Sequence, residues 1–89
     1  MIHLFVRHKV ADFPKWKNVS DSHKEAQMNA GLKLEQIFRS LADSNEVFLL
    51  FEVSDLEKAK AFLYSPEVPK AKEESGVTDQ PDIYFLGQA

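Results

Sequence analysis

The chain has 89 residues, enough for one hydrophobic core, and we expect a single domain over residues 1–89. Its net charge of −3 disfavours nucleic-acid binding, which needs a basic face. The chain has no cysteine and no apolar run of membrane-spanning length. Disulfides, thiolate metal sites and a membrane span are therefore excluded, and we expect a cytoplasmic protein.

The first half of the chain is predicted to form a strand, a helix and a second strand. Residues 2–9 alternate between apolar and mostly polar side chains, which predicts a strand. Asp12 can cap a helix that tolerates Pro14 in its first turn and runs to about Ala30, where Gly31 supplies a left-handed stop. A second strand is expected over about residues 32–40.

The second half reads as strand, helix, strand. The polar turn at residues 42–45 leads into a strand over residues 46–53. Ser54 and Glu57 have the spacing of a capping box, and the following helix is interrupted at Ser65-Pro66. A further short helix then ends at Gly76, and the last strand covers residues 82–86.

This order predicts an α+β fold of the ferredoxin-like type, βαββαβ. Right-handed crossovers place both helical regions on one face of a four-stranded antiparallel sheet. The other face should then be polar, yet residues 47–51 are apolar at both parities, and Phe5 and residues 83–86 add more apolar surface. Leaving such side chains in water costs several kcal/mol at about 25 cal/mol per Å². We therefore expect a homodimer in which two sheets pack face to face; the alternatives are a different protein partner or a tolerated apolar patch.

The first predicted helix carries polar side chains on its apolar face. At about 100° per residue, one arc contains Phe13, Trp16, Val19, Ser20, His23, Ala26, Gln27 and Ala30. His8 shares the strand parity of Leu4 and Val6, which are expected to face the helices. His8, Trp16 and His23 are therefore predicted to border the space between helix and sheet.

This arrangement is typical of a small-ligand pocket, in which a few polar groups converge within an apolar wall. His23 and His8 are the candidate proton-transfer residues, and the candidate ligand contacts are Trp16, Phe13, Ser20, Gln27 and Arg39. The structural alternative is that His23 bonds a backbone carbonyl, Trp16 is core, and Ser20 and Gln27 lie at a wet margin.

The remaining charged side chains are expected to have structural roles. Arg7 and Arg39 can neutralise an anionic ligand or pair with Glu35 or Glu52, and we favour the pairing. The run at residues 70–74 is expected to be a solvated helix face, and Asp79 and Asp82 to be turn residues. His3 and His8 have opposite parity, so all three histidines cannot easily share a metal; the pair His8 and His23 is the weak alternative, and no metal site is predicted.

Several stretches together resemble one family. They are His8-Lys9-Val10, Asp12-Phe13-x-x-Trp16, Asp21-x-His23, Gly31, Phe38-Arg39, residues 54–59, Gly76-Val77 and residues 81–85. Over essentially the whole chain, this pattern resembles the dimeric alpha+beta barrel superfamily, in particular small proteins related to antibiotic-biosynthesis monooxygenases and often described as cyclases. The resemblance implies a ferredoxin-like monomer, dimerisation through the sheets, and a pocket between sheet and helices.

The resemblance implies function less closely than fold. The haem-degrading branch has a tryptophan and a histidine on its second helix. The second predicted helix of this chain has neither, and no cofactor is predicted. The stress-responsive branch begins with Met-x-x-His, which Met1-Ile2-His3 matches only loosely. The leading hypothesis is a pocket for a small hydrophobic, planar aromatic or polyketide-like molecule, in a cyclase or a cofactor-independent monooxygenase. The alternative is a non-catalytic ligand-sensing or assembly module.

Overall fold

The computed structural model describes residues 1–88 as four strands and four helices. In chain order these are β1 (Ile2–Lys9), α1 (Phe13–Ser22), α2 (Lys24–Asn29), β2 (Leu32–Arg39), β3 (Glu46–Val53), α3 (Leu56–Leu63), α4 (Glu67–Ser75) and β4 (Asp82–Gly87). No helix among the described residues is both long and apolar enough to cross a bilayer. The predicted α+β class, βαββαβ order and strand bounds are confirmed, the bounds to within one residue.

The four strands form one antiparallel sheet in the order β2-β3-β1-β4. Across the central pair, Leu4 lies opposite Phe51, Val6 opposite Leu49 and His8 opposite Val47, and all six side chains are buried. We call this side of the sheet the covered face, because the helices pack on it. The predicted parity of β1 therefore holds.

The opposite side of the sheet, the open face, carries an apolar band that crosses all four strands. Its members are Phe38 of β2, Phe48 and Leu50 of β3, Phe5 of β1, and Tyr84 and Leu86 of β4. The rings of Phe5 and Phe48 stack with centroids 5.9 Å apart. Phe38, Tyr84 and Leu86 are 49%, 53% and 45% exposed, so the surplus of apolar surface predicted for this face is present in the chain.

The first helical region differs from the single helix predicted over residues 12–30. It breaks at His23, which ends α1 and precedes α2 with backbone angles near φ −96° and ψ 3°. The preceding Ser22 donates its hydroxyl to the carbonyl oxygen of Val19 at 2.6 Å, and His23 N–H donates to Ser20 O at 3.1 Å. Serine competes in this way for backbone acceptors, which weakens an α-helix at its site.

The predicted capping box at Ser54 is wrong by one residue. Asp55 is the N-cap of α3, and its Oδ1 accepts from Lys58 N at 3.1 Å. Ser54 instead donates to Gly31 O at 3.3 Å, across the turn that leads into β2. Gly31 and Gly76 end α2 and α4 with φ near 78°, the left-handed conformation predicted for both stops.

Candidate functional site

A partly open cavity of about 150 Å³ lies between the covered face and the helices. Its floor is formed by Leu4, Val6, His8, Leu32 and Phe51 of the sheet. One wall comes from α1 and α2, with Trp16, Val19, Ser20, His23 and Gln27, and the other from α3, α4 and the following loop, with Phe62, Leu63, Val68, Lys72, Ser75, Val77 and Pro81. An apolar cavity of about this volume holds one aromatic ring.

His8 is the polar side chain of the cavity floor. It is only 6% exposed, and its Nε2 is buried without a hydrogen-bond partner among the described residues. The pKa of His8 is lowered to about 4, chiefly by burial; the charge of Asp79 opposes this shift, and the charges of Lys72 and Arg7 contribute to it. His8 is therefore a neutral imidazole at pH 7, buried in apolar surroundings and lacking a partner at one nitrogen.

Trp16 connects His8 to the helix wall. It is 3% exposed, and its ring meets that of His8 edge to face, with centroids 5.5 Å apart and an angle of 74° between the planes. Its place follows from Asp12, whose side chain caps α1 and sets the register that turns position 16 towards the sheet. The edge-to-face contact fixes both rings against the cavity.

The structure brings five of the seven candidate residues together around this cavity: His8, Trp16, Ser20, His23 and Gln27. His23 is half-buried at the break between α1 and α2, and its carbonyl accepts from Gln27 N at 3.0 Å. Residues 16, 20, 23 and 27 all line the cavity in spite of the break, as the predicted arc requires.

Phe13 and Arg39 do not line the cavity. Phe13 packs behind Trp16, with ring centroids 5.6 Å apart, and the Arg39 guanidinium lies 3.9 Å above the Phe13 ring centroid. Arg39 Nε also donates to Ser44 O at 2.8 Å, so the predicted pairing with Glu35 or Glu52 is replaced by a cation–π contact and a backbone hydrogen bond. Phe13 therefore packs against Trp16 outside the cavity, and Arg39 packs on Phe13.

Sequence reasoning missed the wall that α4 contributes. Lys72, expected to be on a solvated face, lines the cavity, and so does Ser75, which is 5% exposed and donates to Lys72 O at 3.2 Å. The spacing of Val68, Lys72 and Ser75 at four and three residues puts them on one face of a helix, which is the signal that could have found them.

Arg7 is held by a cluster of carboxylates on the open face. It lies 2.9 Å from Glu46, 3.2 Å from Asp79 and 3.1 Å from Asp82, so neither Glu35 nor Glu52 is its partner. Asp79, predicted to be a turn residue, also accepts from Lys9 N at 2.8 Å, and this bond, together with Arg7, lowers its pKa. Among the described side chains, no three of His, Asp or Glu come together as a set that could hold a metal ion.

Comparison by sequence gave no match, either with a protein-family model or with a curated protein. Comparison of structures matched the whole chain. "Putative antibiotic biosynthesis monooxygenase from Nitrosomonas europaea" is 14% identical with a TM-score of 0.70, over 99% of this chain and 98% of that one. A protein of the same description from Bordetella bronchiseptica is 12% identical with a TM-score of 0.78, over 99% and 96% of the two chains.

A third structure of this description, from Caulobacter crescentus, is 18% identical with a TM-score of 0.72 and covers 99% of this chain and 89% of its own. At such identities the likeness concerns the fold. It agrees with the four-stranded sheet, the element order and the resemblance found in the sequence. The chain has the ferredoxin-like fold of these structures, which are described as antibiotic biosynthesis monooxygenases.

Proposed function

We propose that this protein binds a small planar hydrophobic molecule in the cavity between the covered face and the helices. The observation that carries the proposal is His8, a buried imidazole whose Nε2 has no partner among the described residues, in the floor of an apolar cavity. Leaving a buried polar group unpaired costs about 1–3 kcal/mol. A ligand with one hydrogen-bonding group would remove that cost, while its ring would fill the cavity.

Each wall has a distinct part in this proposal. Trp16 and Phe62 provide aromatic contacts for a flat ring. Ser20, His23 and Gln27 place three polar groups along the α1–α2 wall, where they can fix the orientation of the ligand. Since the cavity holds about one ring, a larger polycyclic ligand would extend through its open side.

A titration with 2-naphthamide, a neutral planar probe, tests this proposal. In a nitrogen–proton NMR spectrum we expect the largest shifts at the Trp16 indole N–H and at α1 and α2. The variant His8→Phe should weaken binding about fivefold or more, because it removes the polar contact in the floor. The matched control His3→Phe changes the same strand on its other face and should bind as the parent does. Shifts confined to the open face, or no binding at all, would contradict the proposal.

Conversion of the ligand is a second candidate function, favoured by the two imidazoles at the cavity, His8 and His23, and by the descriptions of the structural neighbours. A neutral imidazole can take a proton from an acidic C–H of the ligand. In a cofactor-independent monooxygenation, the carbanion then reacts with O₂, so that a ring CH₂ becomes C=O and the second oxygen atom leaves as water. In a cyclase, the same carbanion attacks a carbonyl carbon of the ligand; the C=O π electrons move to the oxygen, and the imidazolium returns its proton to that oxygen.

Oxygen uptake separates these reactions from simple binding. With a ligand that contains an acidic ring CH₂, an oxygenase consumes one O₂ for each quinone-like product, whereas a cyclase consumes none. Both activities should be lost in His8→Phe or in His23→Ala if that residue is the base. A protein that binds the ligand in the NMR titration, yet leaves both ligand and O₂ unchanged, is a binding module.

We further propose that a second copy of the chain covers the open face. The apolar band crosses four strands, and two such sheets packed face to face hide it without any other partner. Sedimentation at micromolar concentration should therefore give a dimer of the 10.2 kDa chain. Leu50→Glu places a charge in the band and should give a monomer, whereas Tyr64→Glu, at an 87% exposed position outside the sheet, should not. A parent protein that sediments as a monomer would refute the dimer.

The cytoplasm remains the proposed location, because a chain without cysteine needs no oxidising compartment. Fractionation of the cells that make the protein checks this.

A further inference from the structure

The cavity has a charge asymmetry that the proposed function does not use. Among the described side chains that line it, Lys72 carries a positive charge and none is acidic. The chain as a whole has a net charge of −3, so the charge of Lys72 is opposite in sign to the net charge of the molecule. A positive group at the edge of an apolar space favours an anionic partner over a neutral one.

The contacts of Lys72 leave its ammonium group available. Within residues 1–88 no carboxylate of the described side chains lies within 4.0 Å of it as an ion-pair partner. Its Nζ lies 3.4 Å from Gln80 Oε1, a long contact that contributes little. The aliphatic stem can line the cavity while the ammonium remains at the edge.

The position of Lys72 in α4 also suits a charge that faces the cavity. It lies in the last turn of the helix, where Ser75 and Val77 bond to its backbone carbonyl at 3.2 Å each, so its backbone is fixed. The C-terminal end of a helix stabilises a cation. The charge is close enough to His8 to contribute to the low pKa of that imidazole, which places both groups at the same cavity.

We propose that Lys72 makes this cavity selective for planar hydrophobic acids, meaning ring compounds that carry a carboxylate or an acidic hydroxyl group. The ring lies against Trp16 of the helix wall, and the anionic oxygen accepts a hydrogen bond from Lys72 Nζ at the edge. This inference rests on the proposed function, since it names the class of ligand for the same cavity. Lys72 acts as a binding residue and sets which ligands are held.

Two probes of equal shape, 2-naphthoate and 2-naphthamide, test the selectivity. In the parent protein, naphthoate should bind about five- to tenfold more tightly than naphthamide, the range expected for a charged hydrogen bond that is partly exposed to water. Lys72→Met should remove this preference and leave naphthamide binding unchanged. Lys72→Arg keeps the charge and should keep most of the preference.

Lys70→Met is the matched control, because Lys70 lies on the same helix, is exposed and does not line the cavity. It should leave both affinities unchanged, which separates a local contact from a general effect of net charge. If both probes bind equally to the parent protein, or if Lys70→Met and Lys72→Met weaken naphthoate equally, the inference about Lys72 is wrong while the cavity remains a binding site. If neither probe binds, both the inference and the proposed function fail.

Discussion

The two faces of β1 differ in what surrounds their side chains. On the open face Arg7 is paired with three carboxylates, and His3 Nδ1 lies 3.1 Å from Glu35 Oε1 without a hydrogen bond, while Phe38, Tyr84 and Leu86 of the apolar band are exposed to solvent. On the covered face the apolar side chains are buried, while His8 lacks a partner at Nε2. The open face therefore lacks an apolar surface to cover its apolar band, whereas the covered face lacks a hydrogen-bonding group for His8 Nε2.

This difference assigns different measurements to the two faces. Substitutions on the covered face should change the free energy of unfolding and ligand affinity, since their side chains are enclosed by the same chain. Substitutions in the apolar band should change the association of two chains instead, because the band contributes little to the monomer's own core. The predictions below test this separation, starting with the largest expected effect.

The largest effect is expected from Trp16→Ala. Trp16 is 3% exposed and packs between His8 and Phe13, and removal of a buried tryptophan costs about 3–5 kcal/mol. That is a large part of a stability of about 5–15 kcal/mol. Urea unfolding at one fixed protein concentration measures the loss. Tyr64→Ala, at an 87% exposed site, should stay within about 0.5 kcal/mol of the parent.

A loss for Trp16→Ala no larger than that for Tyr64→Ala would mean that the α1 wall of the cavity is not part of the core. The fixed concentration matters, because association of the chains adds to apparent stability.

The second effect is a dependence of stability on pH that comes from His8. Its pKa is lowered from 6.5 to about 4 in the folded chain, so between these values the unfolded chain binds more protons than the folded one. Stability should therefore be unaffected by His8 above pH about 6.5 and fall as the pH falls towards 4, by up to about 3 kcal/mol. Unfolding measured across this range checks the slope.

Two variants locate the origin of that slope. His8→Phe removes the titrating group and should flatten the curve between pH about 6.5 and about 4. His3→Phe, on the open face of the same strand, should leave the slope caused by His8 in place. Loss of stability with the same slope in His8→Phe would assign the pH dependence to groups other than His8. Asp79 is not one of them, because its lowered pKa acts at more acidic pH.

How far the sequence predicted these faces depends on the range of the interactions. Strand alternation placed Leu4, Val6 and His8 on one face, and glycines 31 and 76 marked the ends of two helical regions, because these signals depend on a few adjacent residues. The shift in strand register between Leu34 and Gln36 of β2 has no comparable pattern in the sequence. This shift keeps both Leu34 and Ile37 packed against the core.

The part of the site that sequence reasoning missed depends on tertiary packing. Lys72 and Ser75 reach the cavity because α4, which follows the break after α3, packs beside α1. Asp79 became a partner of Arg7 and of the Lys9 backbone only through the pairing of β1 and β4. No local pattern of charges distinguishes such residues from ordinary surface lysines and aspartates.

The smallest effect is expected from Arg7→Gln on the open face. This change leaves Glu46, Asp79 and Asp82 without their shared cation, so like charges meet and the chain should lose a little stability. The pairs are partly exposed, and about 1 M salt should therefore shrink the difference from the parent, since screening at that concentration acts within about 3 Å. Urea midpoints at low and high salt measure this. Lys17→Gln, which removes a single exposed pair with Asp21, is the control and should change less than Arg7→Gln at low salt. A salt-independent loss in Arg7→Gln would show that Arg7 stabilises the chain through packing on the sheet and not through its ion pairs. The open face would then be stabilised by side-chain packing, as the covered face is.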